Sequence, residues 1–163
     1  LELTPDGKTF VAGGANGTFY YSDVVSFIAG AAPTWAVSTN VRGAVYGVAV
    51  AEDGSLFAGV FNQGAAGDAW VNPRPSAGPG VARHFALEHN PNSAALNAAH
   101  RLFAVADGHP DGTPGCFYLF DPVTGALRWQ CPTGNMSWPI VVAANGGAVV
   151  GGSDDSFLYY FAL

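Results

Sequence analysis

Short apolar runs separated by polar turns make up most of this chain, and they recur at a fixed interval. Phe10-Val11-Ala12-Gly13, Leu56-Phe57-Ala58-Gly59, Leu102-Phe103-Ala104-Val105 and Ala148-Val149-Val150-Gly151 fall in register, with Ala12, Ala58, Ala104 and Val150 each 46 residues apart. Self-similarity at a period of about 20–50 residues marks stacked repeat architectures. Turn residues precede three of the runs, as Pro5-Asp6-Gly7, Glu52-Asp53-Gly54 and Asn145-Gly146-Gly147. Asp-Gly and Asn-Gly pairs tolerate positive φ and so tighten hairpins.

Each anchor run is flanked by others at matching offsets. Upstream lie 1–4, 46–50, 93–98 and 138–143, rich in small and branched residues. Downstream lie the aromatic runs 18–22, 68–72, 116–120 and 157–161. A fourth run follows in three units, at 34–39, 81–87 and 126–132. Gly and Pro interrupt nearly every window that would need a helical period. Four short antiparallel strands in 40–50 residues predict an all-β fold, a β-propeller of about four blades spanning roughly 1–40, 41–90, 91–135 and 136–163. The last blade is short of its fourth strand. An ordinary β-sandwich is the competing architecture, and it has no reason to hold a 46-residue register across four runs.

Pattern breaks at both ends sharpen this expectation. The sequence begins within a strand pattern at Leu1-Glu2-Leu3-Thr4 and stops within one at Tyr160-Phe161-Ala162-Leu163. It reads as a segment whose blades form an arc, half of a larger ring, completed either by more of a longer chain or by a second copy. A closed ring of four blades is the alternative.

Composition narrows the function classes. Hydrophobic residues are 49% and charged residues 11%, so there is ample apolar surface for a core. Six Lys and Arg against twelve Asp and Glu give a net charge of −6, which argues against a phosphate-tracking nucleic-acid surface. The apolar stretches fall well short of the roughly 20 residues of a membrane helix. No cue to cellular compartment is legible.

In the third unit, Leu119-Phe120-Asp121-Pro122-Val123-Thr124-Gly125-Ala126-Leu127-Arg128-Trp129 resembles the A-x-D-x-x-T-G-x-x-x-W motif of pyrroloquinoline-quinone-like (quinoprotein-like) propeller repeats. Asp121, Thr124, Gly125 and Trp129 match, and Leu119 departs from the family's small residue. Asp and Thr are suited to close a turn by side-chain-to-backbone bonds, Gly to take positive φ, and Trp to pack on the neighbouring blade. The other units keep fragments, with Trp35 and Phe85 as the equivalent aromatics. The resemblance implies the fold. It also implies, for the family's enzymes, an eight-bladed ring with a quinone and Ca²⁺ at its centre. Cys116 and Cys131 are not the vicinal pair that such enzymes place over their cofactor, and no cofactor is expected here.

Candidate sites follow from residue chemistry. Folding the hairpin about Val123-Thr124 sets Asp121 opposite Ala126, Tyr118 opposite Trp129 and Cys116 opposite Cys131. Opposed Cα atoms lie about 4.5–5.5 Å apart, within reach of a disulfide. Two separate buried thiols are the other reading. Asp154-Asp155 offers oxygens for Ca²⁺, yet it sits where other units carry hairpin turns. His84, His89, His100 and His109 lack ligand spacing. The sequons at Asn16-Gly17-Thr18 and Asn135-Met136-Ser137 fall on predicted loops, the first already explained as a turn. Two long connections stand out. One is 24–33, whose Val24, Val25, Phe27 and Ile28 would make an apolar interaction patch, and the other is the Pro/Gly-rich 73–80.

These residues favour a non-catalytic protein-interaction or assembly module. Two other readings stay open: half of a quinoprotein-like oxidoreductase, and a secreted carbohydrate-binding propeller using Trp70 or Trp138. A catalytic centre would need carboxylates, Asn and Arg on the innermost strands, where only Glu2 and Asn97 qualify.

Overall fold

Alternating residues and Asp-Gly turns fold the chain into four antiparallel sheets in a computed structural model, which describes residues 1–33, 35–38, 43–62, 66–73 and 83–163. The first sheet is β1 (Glu2–Leu3), β2 (Thr9–Gly13), β3 (Thr18–Asp23) and β4 (Trp35–Ser38). The second is β5 (Val45–Val50), β6 (Leu56–Asn62), β7 (Gly67–Pro73) and β8 (Arg83–Leu87). The third is β9 (Pro91–Asn97), β10 (Leu102–His109), β11 (Thr113–Phe120) and β12 (Leu127–Pro132). The fourth has three strands among the described residues, β13 (Ser137–Val142), β14 (Ala148–Ser153) and β15 (Leu158–Ala162). Strands pair in sequence order within each sheet, so every sheet is a meander. Stacked meanders of this kind make an arc of a β-propeller.

The side-chain period of two gives each middle sheet two apolar faces. Val11, Phe19 and Tyr21 of the first sheet meet Phe57 and Phe61 of the second. Ala58, Val60, Ala69 and Val71 on the other face of the second sheet meet Phe103, Val105, Tyr118 and Phe120 of the third. Ala104, Ala106, Phe117 and Leu119 then meet Ile140 and Val149 of the fourth. Three dry seams follow one another, and no comparable seam joins the fourth sheet to the first among the described residues.

Small residues let these sheets approach. A side chain added at Gly59 would run into the ring of Phe19, and one at Gly151 into the ring of Phe117. The tight turns sit at equivalent places, with φ of +67° at Gly7, +66° at Gly54 and +68° at Gly146. In the third sheet the turn before β10 ends instead on Arg101, left-handed at +56°.

Three expectations need correction. The first unit is offset by 47 residues from the second, not 46. Gly7 and Gly54 occupy the same turn, and Phe10 rather than Val11 is the counterpart of Phe57. Ala12 therefore answers to Gly59, because one residue of slip exchanges the two faces of a strand. The segment predicted as an apolar loop from 24 is instead a single helical turn, α1 (Val24–Ile28). Asp23 caps it, its carboxylate accepting the Ser26 N–H at 2.9 Å. Finally, the β11–β12 pairing has a bulge between Leu119 and Phe120, which moves every later pair by one. The second long connection, 74–80, lies outside the described residues, as do Thr34, Thr39, Val81 and Ala82 of the predicted outer strands.

Candidate functional site

Structural equivalence across the repeat picks out one surface. The third strand of each sheet sends two residues forward, toward the next sheet: Phe19 and Tyr21 in β3, Ala69 and Val71 in β7, Phe117 and Leu119 in β11. All six are buried, none more than 4% exposed. Leu158 and Tyr160 hold the same two positions in β15, opposite Gly152 and Val150. They are 77% and 68% exposed. Val141, cross-strand from Val150, extends the same bare face and is also exposed. A blade face with seam chemistry and no seam is a docking surface in kind.

At the other end of the arc, Phe10 of β2 points backward from the first sheet. It is buried because Phe27 of α1 packs against it edge-on, ring centroids 5.0 Å apart at 70°. Val25 and Ile28, named from the sequence as an interaction patch, remain exposed on the outside of that turn, and Phe27 is half-covered.

The innermost strands converge on a cavity of about 620 Å³, which Glu2, Val50, Asn97 and Val142 reach from all four sheets. Both polar residues anticipated there are present, yet each joins neighbouring sheets. A Glu2 carboxylate oxygen accepts the Val50 N–H at 3.0 Å. The Asn97 amide donates to the carbonyls of Ala143 at 3.1 Å and Ala144 at 3.0 Å. These two groups staple the arc.

The motif residues do the work the resemblance assigns them. Asp121 accepts the N–H groups of Val123 and Thr124, both at 2.9 Å, and Thr124 Oγ1 accepts that of Ala126 at 3.3 Å. Gly125 takes φ of +82°. Arg101 and Arg128 approach the other Asp121 oxygen at 2.8 and 3.3 Å. Burial pushes that carboxyl up, but the Thr124 and Val123 N–H groups and the two guanidinium groups outweigh it. They hold Asp121 well below the usual carboxylate range. Trp129 stacks on Phe161 of the fourth sheet at 4.5 Å and is half-buried.

The expected disulfide does not form. The bulge sets Cys116 opposite Pro132 and Cys131 opposite Phe117, so the two thiols lie on opposite faces of the third sheet and both are free. Asp154-Asp155 is not a metal site. Asp155 accepts from Gly134 N–H at 2.9 Å, Phe157 N–H at 3.1 Å and Tyr159 hydroxyl at 2.7 Å, which is turn chemistry. Among the described residues, no three His, Cys, Asp or Glu side chains gather to hold a metal. At the sequons, Asn16 accepts the Thr18 N–H at 3.2 Å and Asn135 that of Met136 at 2.8 Å.

Two polar groups escaped the sequence reading. Asp107 is wholly buried in β10, one oxygen accepting the Cys116 N–H at 2.6 Å and the other without a hydrogen-bond partner. Burial lifts its carboxyl to about 6, against the pull of Tyr118, Cys116 N–H and His89. Burial likewise pushes the Cys116 thiol up to about 11, with the Asp107 charge adding to it. His84 contacts the Asp68 carboxylate and lies 4.7 Å from the Trp70 ring, a pairing across β7 and β8 that spacing alone did not suggest.

No family model matches the chain, and no curated protein matches it in sequence. Its fold is that of solved structures of Chaetomium thermophilum Sqt1, at TM-scores of 0.79 and 17% identity, covering 99% of this chain and 43–44% of that one. A third, Sqt1 bound to the N-terminus of the ribosomal protein L10, matches at 0.77 and 18% identity over 98% of this chain. The chain thus spans less than half the length of these neighbours. No helix among the described residues is long and apolar enough to cross a membrane.

Proposed function

We propose that this chain is a non-catalytic protein-interaction and assembly module built on an arc of β-propeller, docking protein through the forward face of its fourth sheet. The observation that carries this is the exposure of Leu158 and Tyr160, whose counterparts in the other three sheets are all sealed in seams. That the similar Sqt1 fold has been solved with a ribosomal-protein N-terminus bound supports an architecture that presents protein-binding surface. A photo-crosslinking residue at position 160 tests the reading. It should yield adducts of protein mass that Leu158→Asp removes. Failure to form any protein adduct would overturn it.

We also propose kinship with pyrroloquinoline-quinone-like repeats, supported by the turn that Asp121, Thr124 and Gly125 build and by Trp129 packing on the next sheet. The residues at the centre do not suit a quinone and Ca²⁺. Asn97 is committed to Ala143 and Ala144, and the cavity lining is otherwise mostly Leu, Val, Ala and Pro with carboxylates at its rim. Titration with quinone and Ca²⁺ bears on the oxidoreductase alternative. A stoichiometric bound chromophore would revive it.

A further inference from the structure

Resting on the docking reading, the identity of the occupant can be taken further. Of the large apolar side chains left in solvent, most lie on the two terminal sheets: Leu3, Val25 and Ile28 at one end, Val141, Leu158 and Tyr160 at the other. The two patches are opposite in kind. The fourth sheet shows a forward face, and the first sheet shows a backward face. Forward-to-backward is the packing that makes all three internal seams.

The repeat specifies how such a pair would fit. Phe19 and Phe117 each seat on a glycine of the following sheet, Gly59 and Gly151. Leu158 is their counterpart, and Ala12 is the counterpart of those glycines, small and only half-buried. Tyr21 lies 5.6 Å from Phe57, ring to ring. Tyr160 answers to Tyr21, and Phe10, flanked by Phe27, answers to Phe57. Size and position correspond at both contacts.

We infer that a second copy of this chain occupies the open face. Leu158 seats on Ala12 of the partner subunit and Tyr160 on the partner's Phe10 and Phe27, with the partner's Val25 and Ile28 sealing the rim. The reciprocal contact forms at the other end, closing two four-sheet arcs into one ring about a two-fold axis. An arc that matches 43–45% of the length of the similar structures has about the curvature this closure needs. A head-to-tail contact that closes on itself leaves no free edge to propagate into a filament.

Analytical ultracentrifugation of the 163-residue chain at low micromolar concentration tests this, because the two seams can be broken separately. The unmodified chain should sediment at twice its own mass. Tyr160→Asp and Ala12→Glu should each weaken association by roughly thirtyfold or more, as losing a central anchor does, with circular dichroism unchanged. Ile28→Asp, at a fully exposed position, provides a second first-sheet variant that does not risk the fold. Mixing the Tyr160→Asp and Ala12→Glu chains leaves one intact seam per pair, so a heterodimer should reappear. A monomeric unmodified chain overturns the proposal, and so does a dimer indifferent to both substitutions. Failure of the mixture to pair would point to a contact between two fourth sheets and also overturns it. If the chain is monomeric while position 160 still crosslinks to another protein, the docking reading survives and only the second copy falls.

Discussion

The two ends of the arc carry the same kind of surface and meet different fates. At the first sheet, Phe10 is only 6% exposed although no sheet lies behind it, because Phe27 folds over from the Asp23-capped turn. At the fourth sheet, Leu158 and Tyr160 have no such cover. In stacked repeats each unit buries its apolar face against its neighbour, and an end without a neighbour needs a cap or a partner. One end of this chain has a partial cap; the other has none. Burial of a seam residue is therefore decided by what lies beyond the sheet rather than by the residue.

Breaking a closed seam should have the largest effect. Phe117 is fully buried between the third and fourth sheets, its ring against Tyr159 and Phe161. Phe117→Ala should destabilise by about 3–5 kcal/mol in urea denaturation, in line with large aromatic truncations in cores. A loss under about 1 kcal/mol would mean that this seam is not dry. Trp129 stacks on Phe161 in the same seam but keeps part of its ring in solvent, so Trp129→Ala should cost less, about 2–3 kcal/mol.

Next in size is a pH effect at the second-to-third seam. Burial raises the Asp107 carboxyl to about 6 in the folded chain, while the unfolded group titrates near its ordinary value. Between these two values the folded state binds more protons than the unfolded one. Its stabilising contribution is complete below about pH 4 and is lost as pH rises through about 6. Carboxyls held low, such as Asp121 and Asp111, act in the opposite sense and only below that window. Asp107→Asn should therefore flatten stability between pH 4 and pH 6, a change on the order of 1–2 kcal/mol in chemical denaturation curves. An unchanged slope would place the titrating group elsewhere.

What the sequence made legible, and what it hid, divides along physical lines. Strand positions and the four-sheet order follow from alternation and Asp-Gly turns, which are local. Register is not local. The bulge at Leu119/Phe120 leaves no mark in composition, yet it alone separates Cys116 from Cys131 across a sheet. The 47-residue step at the first unit was hidden for a similar reason, since Ala12 and Ala58 match as letters while facing opposite ways. Val24–Ile28 reads as a loop because five residues are too few to show a period, and its helix depends on the Asp23 cap. The docking face was half visible: an aromatic run at 157–161 was plain, but which of its residues lack a neighbour emerges only from the seams.

The smallest expected effect is the sharpest test of the comparison. Leu158 stands where Phe117 stands one blade earlier, so equal cost on truncation would follow if position in the repeat set the energetics. In a dissociated chain, Leu158 has little apolar area to lose on truncation, since most of it is already in water. Leu158→Ala, measured at a concentration low enough to keep the chains apart, should change stability by no more than about 0.5 kcal/mol, the range of surface substitutions. At concentrations where two copies associate, the same substitution should lower the melting temperature, because binding to the folded state adds to its stability by mass action. A cost near that of Phe117→Ala at high dilution would show that Leu158 is already buried within one chain. The open end of the arc would then be closed from inside.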